Sequence, residues 1–303
     1  METELITENS VLNLIGNTPL LDVSFLMENS NISLYAKAEW LNPGGSLKDR
    51  PVKLMLTEAI KSGELTKDKI IIDSSSGNAG IAYSMIGNAL NYKVEIVIPG
   101  NASLERKQRM KAHGTNIIET DPIEGYDEAL RHAHKLVDAE PDKYFLCDQY
   151  ANDNNWLSHY HGTAEEIINQ MNGEFEYFVC GIGTGGSITG IGRKLKEVYP
   201  NIQIHGIRPE VWPGIEGLKP LGSPEDIVPR ILDESVVDEW IYITADEAKH
   251  WCQILAKQGI FVGQSSGCYM AACFKMMEEI DSGRIVTIFN DFGDRYFSSG
   301  LWS

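Results

Sequence analysis

The chain has 303 residues, 43% of them hydrophobic and 23% charged, and a formal net charge of -17. That is ordinary globular composition in a chain longer than the usual single domain, so two lobes are expected. The excess of carboxylates argues against nucleic acid or an anionic membrane surface as the main partner, and no segment approaches the ~20 apolar residues that cross a bilayer.

From the N-terminus, Met1-Glu2-Thr3-Glu4 lacks the basic start of a signal peptide, and Leu14 to Leu20 is a turn-rich entry. A strand is expected from Ser33 to Glu39. Asn42-Pro43-Gly44-Gly45-Ser46-Leu47-Lys48 then leads into a helix over Arg50 to Ile60. Strand and helix alternate from there. Strands are predicted over Lys69 to Asp73, Lys93 to Ile98, Asn116 to Glu119 and Tyr144 to Cys147. Helices are predicted up to Leu90, from the cap Ser103, over Tyr126 to Ala139 and over Trp156 to Met171. The rhythm continues with strand Tyr177 to Cys180, helix Ile188 to Val198 and strand Ile202 to Ile207. After an irregular span from Arg208 to Val236 come helices from Ala245 and Gly267 and a last strand, Ile285 to Phe289. This is the pattern of an α/β protein with largely parallel sheets flanked by helices. The five cysteines (Cys147, Cys180, Cys252, Cys268, Cys273) form no CxxC pair, which fits a reducing, cytoplasmic location. His159 and His161 have no companion set of metal ligands and are read as structural, so no metal is expected.

Ligands of open α/β sheets bind beyond the carboxyl ends of the strands, and the loops there have unusual chemistry. Lys48 sits at a loop-to-helix junction, where partial positive charge from exposed N–H groups should ease loss of its proton and leave an amine able to attack a carbonyl. Gly183-Thr184-Gly185-Gly186-Ser187 offers bare amides and two hydroxyls at a helix start, suited to one phosphate group. It lacks a Walker lysine and the spacing G-x-G-x-x-G, which disfavours a nucleoside triphosphate or a dinucleotide. Ser74 to Gly80 forms a second nest, with Asn78 as a bidentate amide, and Gly263-Gln264-Ser265-Ser266-Gly267 puts hydroxyls at a third helix start. A lysine for a Schiff base, a cradle for one phosphate and polar groups for a flat ring together point to pyridoxal phosphate.

Those stretches, with Ile15-Gly16-Asn17-Thr18-Pro19-Leu20 and Val228-Pro229-Arg230-Ile231-Leu232-Asp233, carry a resemblance over essentially the whole chain. It resembles the cysteine synthase/cystathionine β-synthase family of pyridoxal phosphate enzymes, fold type II. The resemblance implies a larger cofactor-phosphate domain (1–44 and 146–303) and a smaller, mobile substrate-carboxylate domain (45–145). It assigns Lys48 to the cofactor Schiff base and proton transfer at Cα, Gly183, Thr184, Gly185, Gly186 and Ser187 to the phosphate, Asn78 to the ring hydroxyl, and Ser265 to the pyridine nitrogen. It assigns Ser75, Ser76, Gly77, Asn78 and Gln149 to the substrate carboxylate. A neutral hydroxyl at the pyridine nitrogen makes the ring a weaker electron sink, so loss of a β-substituent through an aminoacrylate is expected rather than transamination.

Within the family, the chain has no cysteine-histidine haem-binding extension and no regulatory tail, and it is similar to the short bacterial sulfhydrylases. The favoured expectation is a cysteine-consuming enzyme that releases hydrogen sulfide and forms serine or a thioether. In it Asp233 acts as general acid/base with Ser75 as its partner at Cβ, and Glu216 adds to a negative pocket field that disfavours HS⁻. The alternative is a cysteine synthase using O-acetyl- or O-phosphoserine and sulfide. A serine/threonine dehydratase and a catalytically idle binding protein are further readings. A small amino-acid substrate and a homodimer are implied by the resemblance.

Overall fold

The computed structural model describes residues 10–27, 31–75, 77–123, 125–222 and 226–303. Strands β1 (Leu20–Asp22) and β2 (Ile32–Ala38) come first, followed by helix α1 (Asp49–Ser62). An alternating run follows: β3 (Ile70–Ser74), α2 (Asn78–Ala89), β4 (Lys93–Pro99), α3 (Leu104–Ala112), β5 (Asn116–Thr120), α4 (Gly125–Ala139) and β6 (Tyr144–Leu146). Then come α5 (Asp153–Ser158), α6 (Ala164–Met171), β7 (Tyr177–Gly181), α7 (Gly186–Val198), β8 (Gln203–Pro209), β9 (Glu239–Ile243), α8 (Ala245–Lys257), α9 (Gln264–Met277) and β10 (Gly283–Phe289).

The strands form two sheets. A four-stranded sheet, ordered β5-β4-β3-β6, is parallel throughout, and a six-stranded sheet, ordered β1-β2-β10-β7-β8-β9, is parallel except for the β1–β2 pair. Parallel strands need helical crossovers that cover both faces, which is why Ile71 and Ile72 are both fully buried although their side chains point to opposite faces. One apolar core lies around β10, β7 and β8, with Phe178, Ile191, Ile204 and Phe289. A second joins α1 and α2 to the smaller sheet through Leu56, Ile71, Ile86 and Ile96, and Leu12 and Ile15 from the start of the chain pack into it. The fold is the α/β arrangement of two parallel-dominated sheets that the sequence implied.

Several details differ from the sequence reading. The helix expected over Trp156 to Met171 is α5 and α6 joined by a π turn at His159–Thr163. His159 Nδ1 and the Thr163 hydroxyl are 2.9 Å apart across that turn. The turn packs so closely on α7 that a Cβ at Gly190 would lie 2.9 Å from Tyr160 N. Strands β1 and β9 were not anticipated. Helix α9 begins at Gln264 rather than Gly267, which puts Ser265 in its first turn.

Candidate active site

The loops leaving β3, β7 and β10 meet the Lys48 loop around a cavity of about 540 Å³. The Lys48 loop is tied to the end of β10 by Leu47 N–H donating to Asn290 O (2.9 Å) and by an isolated bridge between Ser46 and Asp291. Of the residues expected at the site, Lys48, Ser75, Asn78, Gln149, Gly183, Thr184, Ser187 and Ser265 line this cavity. Gly77, Gly185 and Gly186 lie behind the lining, packed against Arg106, Leu232 and Asn155. Ser76 lies outside the described residues.

Lys48 precedes the first turn of α1 and extends its amine to the Thr184 hydroxyl, 3.4 Å away. Burial pushes the amine down to about 8, with the neighbouring Cys180 and Asp73 pulling the other way. The direction is the one anticipated, but the chief cause is removal of the charged amine from water rather than the helix terminus.

The loop after β7 has the geometry of an anion cradle. Gly185 adopts a left-handed backbone (φ 83°) and ends at the N-terminus of the 13-residue helix α7. A Cβ at Gly183 would lie 2.7 Å from Gly217 O, one at Gly185 2.9 Å from Leu232 Cβ, and one at Gly186 would collide with Asn155 Oδ1. Only glycines fit this close approach of the loop to its neighbours. The Thr184 hydroxyl accepts from Asn155 Nδ2 (3.1 Å) as well as from Lys48, so its own hydrogen remains to be donated. A lysine with a lowered pKa beside a bare-amide cradle fits pyridoxal phosphate, which Lys48 would hold at its aldehyde carbon and Gly183–Ser187 at its phosphate.

Around this cradle the other expected residues are held by their own hydrogen bonds. Ser265 Oγ accepts from Asn290 Nδ2 (3.0 Å), leaving a neutral hydroxyl to donate into the cavity. Ser75 Oγ accepts from Gly77 N–H (3.0 Å) and Gly80 N–H (2.8 Å), which ties the nest to the start of α2. Asn78 donates through Nδ2 to Asp291 (2.7 Å) and accepts at Oδ1 from Arg295 (2.5 Å). Gln149 is fixed by its side-chain amide on Ser74 O (2.7 Å) and its backbone N–H on Asp73 (3.2 Å). Burial raises the Asp73 carboxyl to about 7, and Tyr83 O–H donates to it at 2.5 Å.

Asp233 is not brought to the cavity. Its carboxylate pairs with Arg193 (2.7 Å) and accepts from the backbone N–H (3.1 Å) and hydroxyl (2.5 Å) of Ser235, capping a short 3₁₀ turn. Those donors hold it below the usual carboxylate range. The geometry therefore places Asp233 at a loop cap and away from the cavity lining, and gives its expected acid/base role no support. Charged residues that do line the cavity come from α3, α4 and the loop after β8. Glu216 does so as expected, in an ion pair with Arg106, and Lys219 pairs with Asp127 at 2.6 Å. Asp226 also lines it and accepts from Gly222 N–H (3.0 Å). Tyr126 and Tyr150 stack at 5.6 Å on the same wall. Of these, only Glu216 stood in a motif-like stretch; the rest are ordinary surface residues in sequence.

Among the described residues there is no group of three or more His, Cys, Asp or Glu placed to hold a metal ion, and no helix long and apolar enough to cross a membrane. All five cysteines are buried and unpaired by disulfides.

The family described as "Pyridoxal-phosphate dependent enzyme" matches residues 11–291. A cysteine synthase of Aquifex aeolicus is 44% identical over 97% of this chain and 92% of its own. A solved hydrogen sulfide-producing enzyme of Fusobacterium nucleatum superposes with a TM-score of 0.87 and 37% identity, over 96% of this chain and 100% of the other. An O-acetylserine dependent cystathionine β-synthase of Helicobacter pylori gives 0.88 and 33%, over 98% and 100%.

Proposed function

The chain belongs to the pyridoxal-phosphate dependent enzymes, in the cysteine synthase family, and on that premise we propose that it makes L-cysteine by replacing the leaving group of an O-activated serine with sulfide. The observation that carries this direction is the pairing of two cavity carboxylates, Glu216 and Asp127. Glu216 is held by Arg106 and Asp127 by Lys219, so neither adds a bare negative charge that would turn away HS⁻. Likeness to the Aquifex enzyme supports the same direction.

When bound, pyridoxal phosphate supplies the electron sink for the pair left at Cα. The chain's residues do the rest. Lys48 would hold the cofactor and, as a free amine, would carry the Cα proton, in keeping with the lowering of its pKa by burial. Gly183–Ser187 anchor the phosphate, and the Ser265 hydroxyl offers a neutral partner to the ring nitrogen. The nest from Ser75 to Asn78, with Gln149, receives the substrate carboxylate. Closure of a smaller lobe (45–145) over a larger one (1–44 and 146–303) would exclude water, and the pairs Arg106–Glu216 and Lys219–Asp127 are placed to join them. A cytoplasmic homodimer is part of the same proposal.

A second reading, consumption of cysteine to hydrogen sulfide and serine, is favoured by Asp226 on the cavity wall, where a carboxylate can activate water, and by likeness to the Fusobacterium enzyme. Assaying the purified holoenzyme for cysteine from O-acetylserine or O-phosphoserine plus sulfide, and for sulfide plus serine from cysteine, separates the two. Faster turnover in the second assay would overturn the synthetic reading.

A further inference from the structure

We infer that Asp291 and Arg295, near the end of the chain, are positioning residues that set which way the Asn78 amide faces the cofactor cavity. Asp291, fully buried, can only accept, and Arg295 can only donate. Asn78 bridges them, Nδ2 to Asp291 Oδ2 at 2.7 Å and Oδ1 to Arg295 Nη1 at 2.5 Å. The amide therefore has one orientation, because the flipped one would set oxygen against carboxylate and N–H against guanidinium. Its oxygen is engaged, and one Nδ2 hydrogen remains. Asn78 can thus offer the cavity the remaining Nδ2 hydrogen in a fixed direction, which suits a ligand atom that accepts.

The two positioning groups are themselves fixed. Tyr296 O–H donates to Asp291 Oδ2 (2.7 Å), and the Arg106 guanidinium lies 4.6 Å above the Tyr296 ring. Arg295 Nη2 donates to Gly44 O (3.0 Å), which links the same guanidinium to the loop that carries Lys48. The C-terminal segment therefore couples the lysine loop to the asparagine that faces the ring. The inference rests on the reading that pyridoxal phosphate fills the cavity.

The test is titration of pyridoxal phosphate into cofactor-free wild type and into Asp291→Asn, Arg295→Met and Tyr296→Phe, following the absorbance of the bound cofactor, with melting of the cofactor-free proteins measured alongside. An asparagine at 291 accepts or donates equally well, so it removes one of the two constraints on the Asn78 amide and leaves Arg295 alone to orient it. We expect about tenfold weaker cofactor binding for Asp291→Asn and Arg295→Met, with a displaced absorption maximum. If either fails to fold, Tyr296→Phe loosens Asp291 without touching Asn78, and a shift of the same sign and about two- to fivefold weaker binding are expected. The exchange Asn78→Asp with Asp291→Asn restores bonding between the two positions but removes the donor, so it should recover the melting temperature and not the spectrum. Folded variants with wild-type affinity and spectrum would overturn the inference. A wild type that takes up no pyridoxal phosphate would overturn the family-based reading of the cavity, and the inference with it.

Discussion

Lys48 Nζ lies 3.4 Å from the Thr184 hydroxyl, although the two residues are 136 positions apart and follow different strands. The contact places a lysine with a lowered pKa against an anion cradle, and it makes Lys48 costly to the protein when no cofactor is present. Burial lowers the folded-state value to about 8 from an ordinary 10.5. The charged amine therefore destabilises the fold fully below pH 8, and the cost disappears as pH rises toward 10.5, because the unfolded chain binds the extra proton in that window. Lys48→Met should raise the melting temperature of the cofactor-free protein at pH 7, and the gain should shrink between pH 8 and 10.5. The same variant should lose covalent cofactor and at least about a thousandfold of turnover, read by absorbance and assay.

Gly186→Ala tests the cradle. Its Cβ would collide with Asn155 Oδ1, on a side chain held by Gln149 O (2.6 Å) and Thr184 and so unable to move aside freely. We expect a loss of about 1–3 kcal/mol in stability. We also expect a smaller rise in melting temperature on adding pyridoxal phosphate, because the amides no longer converge. A full cofactor-induced rise in the variant would contradict this use of the loop.

The rim pairs Arg106–Glu216 and Lys219–Asp127 tie two helices, α3 and α4, to one loop, Ile215 to Lys219. That loop is also anchored to the cradle by Lys219 N–H on Ile182 O (2.7 Å) and to α9 by Glu216 N–H on Gln264 Oε1 (3.0 Å). Asp127→Asn and Glu216→Gln should each raise the KM for the amino-acid substrate by about 3- to 10-fold; Asp127→Asn should change folding little, whereas Glu216→Gln takes a partner from the buried Arg106 guanidinium and should also lower the melting temperature. Raising the salt concentration should mimic the variants in the wild type and have less effect on the double variant.

Asp233→Asn should leave turnover within about twofold of wild type, because the carboxylate faces Arg193 and Ser235 rather than the cavity. Asparagine keeps the cap, so loss of the partly exposed ion pair alone should cost about 0.2–1 kcal/mol, visible in denaturant melts. A large fall in turnover with unchanged stability would restore Asp233 to the chemistry.

The contrast between Lys48 and Asp233 marks how far the sequence could be read. Local patterns carried the cradle, the Ser75–Asn78 nest and most strands, because bare amides at helix starts and runs such as Ile70-Ile71-Ile72 have few other physical uses. Asp233 stood in an equally motif-like stretch, and only its partners, Arg193 and Ser235, reveal that its carboxylate lies away from the cavity lining. Arg106, Asp127, Lys219 and Asp226 gave no signal, since tertiary folding alone brings four separate segments to one rim. The short β1 pairs only with β2, at the edge of its sheet, and β9 is likewise an edge strand with exposed residues, so neither carried the buried apolar run that betrayed β3 and β7. The break at His159–Thr163 depends on how closely the turn approaches Gly190 of α7, a packing fact that helical periodicity cannot report.

The most direct measurement is an absorbance titration of the holoenzyme with O-acetylserine, O-phosphoserine and, separately, L-cysteine, followed by a pulse of sulfide, with cysteine, serine and sulfide quantified in the same samples. Cysteine synthesis requires that an activated serine perturb the cofactor spectrum and that sulfide restore it with formation of one cysteine per site. If cysteine alone perturbs the spectrum, releasing sulfide and yielding serine, the direction proposed here is contradicted and Asp226 becomes the next residue to replace.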